Sequence, residues 1–388
     1  MLDTMTSKPK QRERLLIVQP WFTAIGHPAQ SLYNTMRSLT GVAAIDYLVS
    51  QDRQFEHHAK LDLALGAGQR LFRFEVTDSV LKKNTVKCLL SMLRFVGKFR
   101  DVRCVFFFDM DLGTIAKFWP LLAPLLRLRQ LSVLYLLGPE QFARHGSTRR
   151  RVERLLRRRD VVLCLRTQEL EKDWVAAFPD VEPSRIRTIP SLEIPDGHHF
   201  PMRDCPQRAE VRFGILGQLR RGKSIGTLAP LFLQRPEIGI LKVAGSFASP
   251  AEKEALGLLR DFPGFEERYF GDDELLQITA TQDYIVVLYD QWDKRMESAV
   301  LYLAMRANRP VLVYAEGWCE RMIEQFGCGI TVPRGEPDLP ALFGALPLPG
   351  SPAYVELLNG VARFREAHRG AALLPRFLEC VGFGSQLD

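Results

Sequence analysis

Two short stretches place cations beside backbone that a folded chain leaves open. The first is FGILGQLRRGKSIGTL, residues 213–228. Its apolar run predicts a strand ending at Gly217, then a basic loop, then a helix from about Ser224. Gly217 lets a ligand come close to the backbone, and Arg220, Arg221 and Lys223 can reach a diphosphate that also faces the helix start. The loop is neither G-x-G-x-x-G nor a P-loop, so the usual nicotinamide and ATP fingerprints are missing. Taken alone, it also reads as a solvated basic turn. The second stretch is VLYDQWDKRMESAVLYLAMRANRPVLVYAEGW, residues 287–318. A strand, a polar loop and a helix beginning near Glu297 would leave the amides of Ser298, Ala299 and Val300 open to phosphate oxygens, with Arg295 beside them. Glu297 can bind ligand hydroxyls or simply complement the helix dipole.

The first half carries weaker candidates. Gly26-His27 follow the first strand, and His27 is either a base or a structural loop histidine. Asp109-Met110-Asp111 closes the strand RCVFFFD; an acid at a strand's carboxyl end can deprotonate a hydroxyl. Gly138-Pro139-Glu140 ends the next strand, where Glu140 can line a site or cap a helix.

The elements that must position these residues alternate from end to end. Strands are expected at 15–20, 43–49, 70–74, 103–109, 131–137, 160–165 and 186–190. Helices are expected at 28–39, 82–99, 113–128, 147–158 and 168–178. After a Pro- and charge-rich break the pattern restarts. Its strands fall at 211–216, 239–245, 267–271, 284–289 and 310–315, and its helices near 224–234, 251–261, 273–280, 297–307 and 318–326. Such alternation predicts α/β architecture with two Rossmann-like doubly wound domains and a ligand cleft between them. The expected division is 1–195, a linker over 196–208, 209–350, and closing helices over 351–388.

Composition narrows the class. The chain has 388 residues, 46% hydrophobic and 25% charged, which excludes disorder and fibres. No apolar run is long enough for a spanning helix, and the first one stops at Pro20, too short for a signal peptide. Seven cysteines without a C-x-x-C pair read as reduced thiols of a cytoplasmic protein. The net charge is +7, and RHGSTRRRVERLLRRR (144–159) holds eight arginines against Glu153 alone. Segments 87–100 and 117–131 mix leucines with cations, as a core-facing helix or a membrane-surface helix would. The arginines are not interleaved with aromatics, which argues against nucleic acid.

Taken together, Gly217-Gln218-Leu219, Lys223-Ser224 and Ala304-Met305-Arg306-Ala307-Asn308-Arg309-Pro310-Val311 resemble the donor domain of GT-B glycosyltransferases of the "group 1" or family 4-like set. The family motifs are Gly-Arg-Leu, Lys-Gly, and a Glu-x7-Glu box running into Ala-Met-Ala-x-Gly-x-Pro-Val. The resemblance covers about 211–333 well, and the first half only in overall pattern. Ile189-Pro190-Ser191 is similar to the family's Ile-Pro-His-Gly entry to the linker, with Ser at the His position. The two family glutamates fall on Arg295 and Leu303, a departure that divergent bacterial polysaccharide members share.

The resemblance implies transfer of a sugar from a nucleoside diphosphate, UDP or GDP, to a lipid-linked or glycan acceptor in cell-surface polysaccharide or glycolipid assembly. Neither a cofactor nor a metal would be needed. Gly217, Arg221, Lys223, Arg295, Ser298, Ala299 and Val300 would hold the diphosphate, and Tyr269, Phe270 and Gly271 the nucleoside. Asp109, then His27, would serve as base, Glu297 would contact the sugar, and Gly26 and Glu140 would face the acceptor. The basic-apolar helices would dock on the inner membrane surface. The rivals are a sugar-nucleotide epimerase, a non-catalytic binding protein, a nucleic-acid binder built on the arginine run, and a GT-A enzyme using Asp109-Met110-Asp111 for metal.

Overall fold

The computed structural model describes residues 13–20, 27–51, 57–75, 81–126, 128–143, 146–197, 210–290, 293–335 and 338–383. The chain forms two compact units, residues 1–190 with 374–388, and residues 191–373. The sequence boundary at 195 compares with a changeover between Pro190 and Ser191. Most of the expected linker lies outside the described residues. The chain changes unit again at Leu374, so the closing helices are shared between the two units.

The first unit runs β1 (Arg14–Gln19), α1 (His27–Ser38), β2 (Ile45–Gln51), α2 (His57–Leu63), β3 (Arg70–Glu75), α3 (Leu81–Arg94), β4 (Val102–Phe107) and α4 (Leu112–Leu126). It continues through β5 (Gln130–Leu134), α5 (Gly146–Leu156), β6 (Val161–Leu165), α6 (Gln168–Ala177) and β7 (Ile186–Thr188). Its seven strands are parallel, in the order β3-β2-β1-β4-β5-β6-β7. The central strands β1, β4, β5 and β6 are largely apolar on both faces because helices cover both. Phe107 meets Trp119 of α4 edge-on, while its neighbour Phe106 points to the other face. There it meets Phe377 of the last helix, α14 (Gly370–Cys380).

The second unit runs β8 (Arg212–Leu216), α7 (Ile225–Gln234), β9 (Ile240–Gly245), α8 (Pro250–Ala255), β10 (Phe265–Glu267), α9 (Asp272–Ala280), β11 (Tyr284–Val287) and α10 (Ala299–Arg306). It ends with β12 (Val311–Tyr314), α11 (Gly317–Phe326), β13 (Gly329–Val332), α12 (Leu339–Gly344) and α13 (Pro352–His368). Its six parallel strands follow the order β10-β9-β8-β11-β12-β13. Two expectations need correction here. The strand expected over 267–271 is β10, which ends at Glu267, because Gly271 already caps α9. β13 was not foreseen.

Both sheets reverse strand order once, between β1 and β4 in the first unit and between β8 and β11 in the second. At such a point the flanking loops diverge to opposite faces and leave a crevice beyond the carboxyl ends of the strands. The topology therefore singles out the loops after β8 and β11, and those after β1 and β4.

Candidate functional site

In the second unit, β8 is followed by Gly217, whose φ of +85° suits glycine. A side chain there would meet nothing within 4 Å, so the space in front of its backbone is open. The loop lies close on the end of β9: Leu219 donates its amide to Ser246 (2.8 Å), and any side chain at Gly245 would collide with the Gly217 carbonyl. A single turn over Arg221–Lys223 then delivers Ser224, buried and left-handed at φ 54°, as the N-cap of α7.

Ser224 ties this loop to the one after β11. Its Oγ lies 3.0 Å from the Leu288 carbonyl, 2.9 Å from the Asp290 carboxylate and 3.0 Å from Tyr314 Oη. Tyr314, at the end of β12, also donates to Asp290 (3.0 Å), and the Asp290 amide donates to the Gly222 carbonyl (2.7 Å). Because the two loops are bonded through backbone and side chains, the turn at 221–223 cannot shift independently of β11.

Lys223 is the outcome of that arrangement. Its Nζ donates to the Leu216 carbonyl at 2.8 Å and stands 5.9 Å from the ring centre of Tyr289. The hydroxyl of Tyr289 lies 3.2 Å from Ser298 Oγ, and Ser298, buried, caps α10 by accepting from the Leu301 amide. Lysine, tyrosine and helix start thus form one continuous group, as the two sequence stretches required. Burial pulls the Lys223 ammonium down to about 7, with Arg220 adding to the effect. Among the described residues it has no carboxylate partner. A cation crowded by protein and lacking a counter-charge would be stabilised by an approaching anion. The first amides of α10, those of Ala299 and Val300, have no intrahelical acceptor and add partial positive charge.

The other expected residues of this unit are distributed as follows. Arg220 hydrogen-bonds Gln218 and is near enough to Lys223 and Tyr289 to influence both. Arg221 is exposed, its amide donating to Glu252 of α8 (2.7 Å) and its guanidinium 3.5 Å from the same carboxylate. Arg295 forms a two-pronged pair with Asp293, at 2.6 and 2.9 Å, which holds that carboxyl below its ordinary range. The Glu297 carboxylate accepts from the hydroxyl of Ser191, the residue at the family's His position. Tyr269 is half-exposed, Phe270 is buried beneath the Arg268 guanidinium (4.0 Å), and Gly271 is the N-cap of α9.

In the first unit, Asp109 follows β4 in a left-handed conformation, φ 51°. Burial pushes its carboxyl up to about 6, against the opposing pull of Arg166. Asp111 does different work: its Oδ1 accepts from the Thr114 amide (2.7 Å) and opens α4. Asp109-Met110-Asp111 is thus a titratable acid followed by a helix cap. Glu140, exposed in a short turn after β5, and both aspartates all lie near enough to the Tyr135 ring to raise its hydroxyl, after burial. Among the described residues no three His, Cys, Asp or Glu side chains gather to hold a metal ion. His27 is the first residue of α1, and Gly26 lies outside the described residues.

Sequence reasoning missed Tyr289, Asp290 and Tyr314. Their one signal is that β12 ends in Tyr314 and that Tyr289-Asp290 follow closely on β11.

No family model matches this sequence, and no curated protein matches it by sequence. Solved structures do match its fold. HepE of Anabaena, in complex with UDP and glucose, aligns at 11% identity over 95% of this chain and all of its own, with a TM-score of 0.67. WaaG, a glycosyltransferase involved in lipopolysaccharide biosynthesis, aligns at 14% identity over 96% and 100%, with a TM-score of 0.58. The fold is GT-B. That fold is not confined to transferases: the UDP-GlcNAc 2-epimerase of Neisseria meningitidis, bound to UDP-GlcNAc, aligns at 11% identity over 91% and 98%, with a TM-score of 0.50. A GT-A reading of Asp109-Met110-Asp111 is set aside, since both sheets belong to the GT-B pattern.

Proposed function

We propose that this GT-B chain is a hexosyltransferase that moves a sugar from UDP or GDP to a lipid-linked or glycan acceptor in surface polysaccharide or glycolipid assembly. The observation that carries the reading is the junction of Lys223, Tyr289 and Ser298 at the strand reversal of the second sheet. In transfer, the bond between the anomeric carbon and the diphosphate oxygen breaks, and negative charge grows on the leaving diphosphate. Lys223, with Arg220 near it and the first amides of α10, answers that charge at groups already in place, without calling on a metal. Arg221 and Arg295 can join them only by exchanging Glu252 and Asp293 for phosphate. Glu297, oriented by Ser191, is assigned to the sugar hydroxyls, and Tyr269, Phe270 and Gly271 to the nucleoside.

On the acceptor side Asp109 is assigned as base, taking the proton of the attacking hydroxyl if the reaction inverts. Its raised pKa keeps a proton-accepting carboxylate near the working pH. His27, Gly26 and Glu140 remain acceptor-side assignments. The assigned setting is the cytoplasmic membrane surface, reached through segments 87–100 and 117–131. Leu90 (60% exposed) and Leu121 (70%) within them are accessible to a bilayer. No helix among the described residues is long and apolar enough to cross a membrane.

The test is a thermal-shift titration with UDP, GDP and their sugars, followed by transfer from the stabilising donor to polyprenyl-linked and free glycans. A stabilising nucleotide and a donor-dependent product support the reading; no stabilisation by any nucleotide contradicts it. The epimerase reading, favoured by the Neisseria neighbour, is separated by incubation with donor alone, since an epimerase consumes it and a transferase leaves it intact.

A further inference from the structure

Just past β11 three successive backbone carbonyls are each taken by a side chain. Leu288 accepts from Ser224 Oγ (3.0 Å), Tyr289 from Arg334 Nη2 (2.9 Å), and Asp290 from Nη1 of the same guanidinium (3.2 Å). Arg334 stands two residues past β13 and so reaches across β12 to serve the end of β11. Glu316, the N-cap of α11, accepts from its Nε (2.8 Å) and from Nη2. The ring of Tyr314, last residue of β12, lies 4.6 Å from the guanidinium carbon. One side chain therefore laces together the loops after β11, β12 and β13.

The bond to Tyr289 has the furthest consequence. β11 ends at Val287, so the Tyr289 carbonyl is fixed by Arg334 rather than by a ladder bond. The ring of Tyr289 in turn lies 5.9 Å from Lys223 Nζ, and its hydroxyl lies 3.2 Å from Ser298 Oγ at the start of α10. A second route runs through Tyr314, whose hydroxyl meets both Ser224 and Asp290 (3.0 Å each). The pair with Glu316 is half-exposed and contributes little by itself. What it does is aim the guanidinium at two carbonyls. Only arginine has a planar fork with enough donors to hold a carboxylate and two carbonyls while resting on a ring. Both carbonyls carry partial negative charge, which the cation offsets at the edge of a site meant for an anion.

We propose that Arg334 is a positioning residue for the donor diphosphate: it fixes Tyr289 and Tyr314, and through them holds Lys223 and the start of α10 in one arrangement. The proposal rests on the reading of that group as a diphosphate site, and Arg334 acts on it without touching the ligand.

The test is calorimetry of UDP and of uridine with the whole protein, in the wild type, Arg334→Ala, Arg334→Lys and Glu316→Gln. Arg334→Ala should lose about tenfold in UDP affinity, the loss typical of hydrogen bonds made by a charged group, while uridine binds as before. Arg334→Lys should recover little of that loss, because a point charge cannot span both carbonyls. Glu316→Gln leaves the arginine in place but frees its guanidinium, and should lose the preference for UDP several-fold even if Arg334→Ala proves too unstable to assay. An Arg334→Ala or Glu316→Gln protein with the wild-type preference for UDP over uridine would overturn the proposal. So would equal losses for UDP and uridine, the mark of general damage, or full recovery in Arg334→Lys, the mark of simple charge. A wild type that fails to prefer UDP over uridine would instead defeat the diphosphate reading itself.

Discussion

The two sheets reverse strand order at equivalent places, yet the loops there carry opposite chemistry. Beyond β8 and β11 lie a crowded lysine, a tyrosine and an open helix start, tied together by Ser224, Asp290 and Tyr314. Beyond β4 lies a carboxyl, Asp109, raised by burial. The topology supplies a crevice in both units and is silent about what fills it; side chains decide that one gathers cations and the other holds a proton acceptor. The distortion differs as well. In the loop after β8 a left-handed non-glycine residue, Ser224, anchors the turn. After β4 it is the candidate base itself.

A large effect is expected from removing the cation. Lys223→Ala should lower transfer by about 100- to 1,000-fold, the usual loss for one preorganised charge-stabilising group. Its melting temperature without ligand should hold or rise, since a crowded charge without a counter-ion is relieved. Steady-state kinetics beside a thermal melt checks both halves. Asp109→Asn should cost about 100- to 10,000-fold in transfer while UDP binding is unchanged, which would separate the two sites cleanly. Asparagine tolerates a left-handed backbone, so the fold should survive the exchange.

The same pair sets the pH response. Asp109 becomes a base as pH rises through about 6, so transfer should climb there. Lys223 loses its proton through about 7 in the free protein. An anion binds the protonated form, so above that pH binding must take up a proton, and UDP affinity should fall by up to tenfold per pH unit. The two effects predict a bell-shaped rate profile with a narrow top. For stability the signs differ. The unfolded chain binds more protons at Lys223 between about pH 7 and the ordinary lysine range, so this group's contribution to stability grows with pH over that window. Asp109 binds its proton more tightly when folded, so its contribution falls as pH rises from the ordinary carboxyl range to about 6. Titration of kcat/KM and of the UDP dissociation constant from pH 5 to 9 would test the rate and affinity predictions.

The smallest effect is at the helix start. Ser298→Ala removes the cap of α10 and the Tyr289 contact, and should cost about 1 kcal/mol of stability with a several-fold loss of UDP affinity. Denaturant melts and calorimetry on one preparation would read both.

Much of this was legible in the sequence because it depends on local pattern. Apolar runs of four to seven residues punctuated by Gly and charge marked nearly every strand, and glycine followed by Arg-Arg-Gly-Lys marked the basic turn. The misses are equally physical. GITV of β13 is only four residues long, and Tyr269-Phe270 read as strand because aromatic residues favour strands, although Gly271 had already begun α9. The bond between Ser224 and Asp290 joins positions 66 apart and leaves no periodic trace. Nor can spacing reveal that Asp293 occupies Arg295, or that Ser191 holds Glu297.

The most direct measurement compares UDP with uridine by calorimetry in the wild type and in Lys223→Met. If turn and helix start converge on a diphosphate, the wild type should prefer UDP by at least about tenfold, the equivalent of 1.4 kcal/mol, and Lys223→Met should lose most of that preference. A Lys223→Met protein that still prefers UDP over uridine as strongly as the wild type would contradict the account.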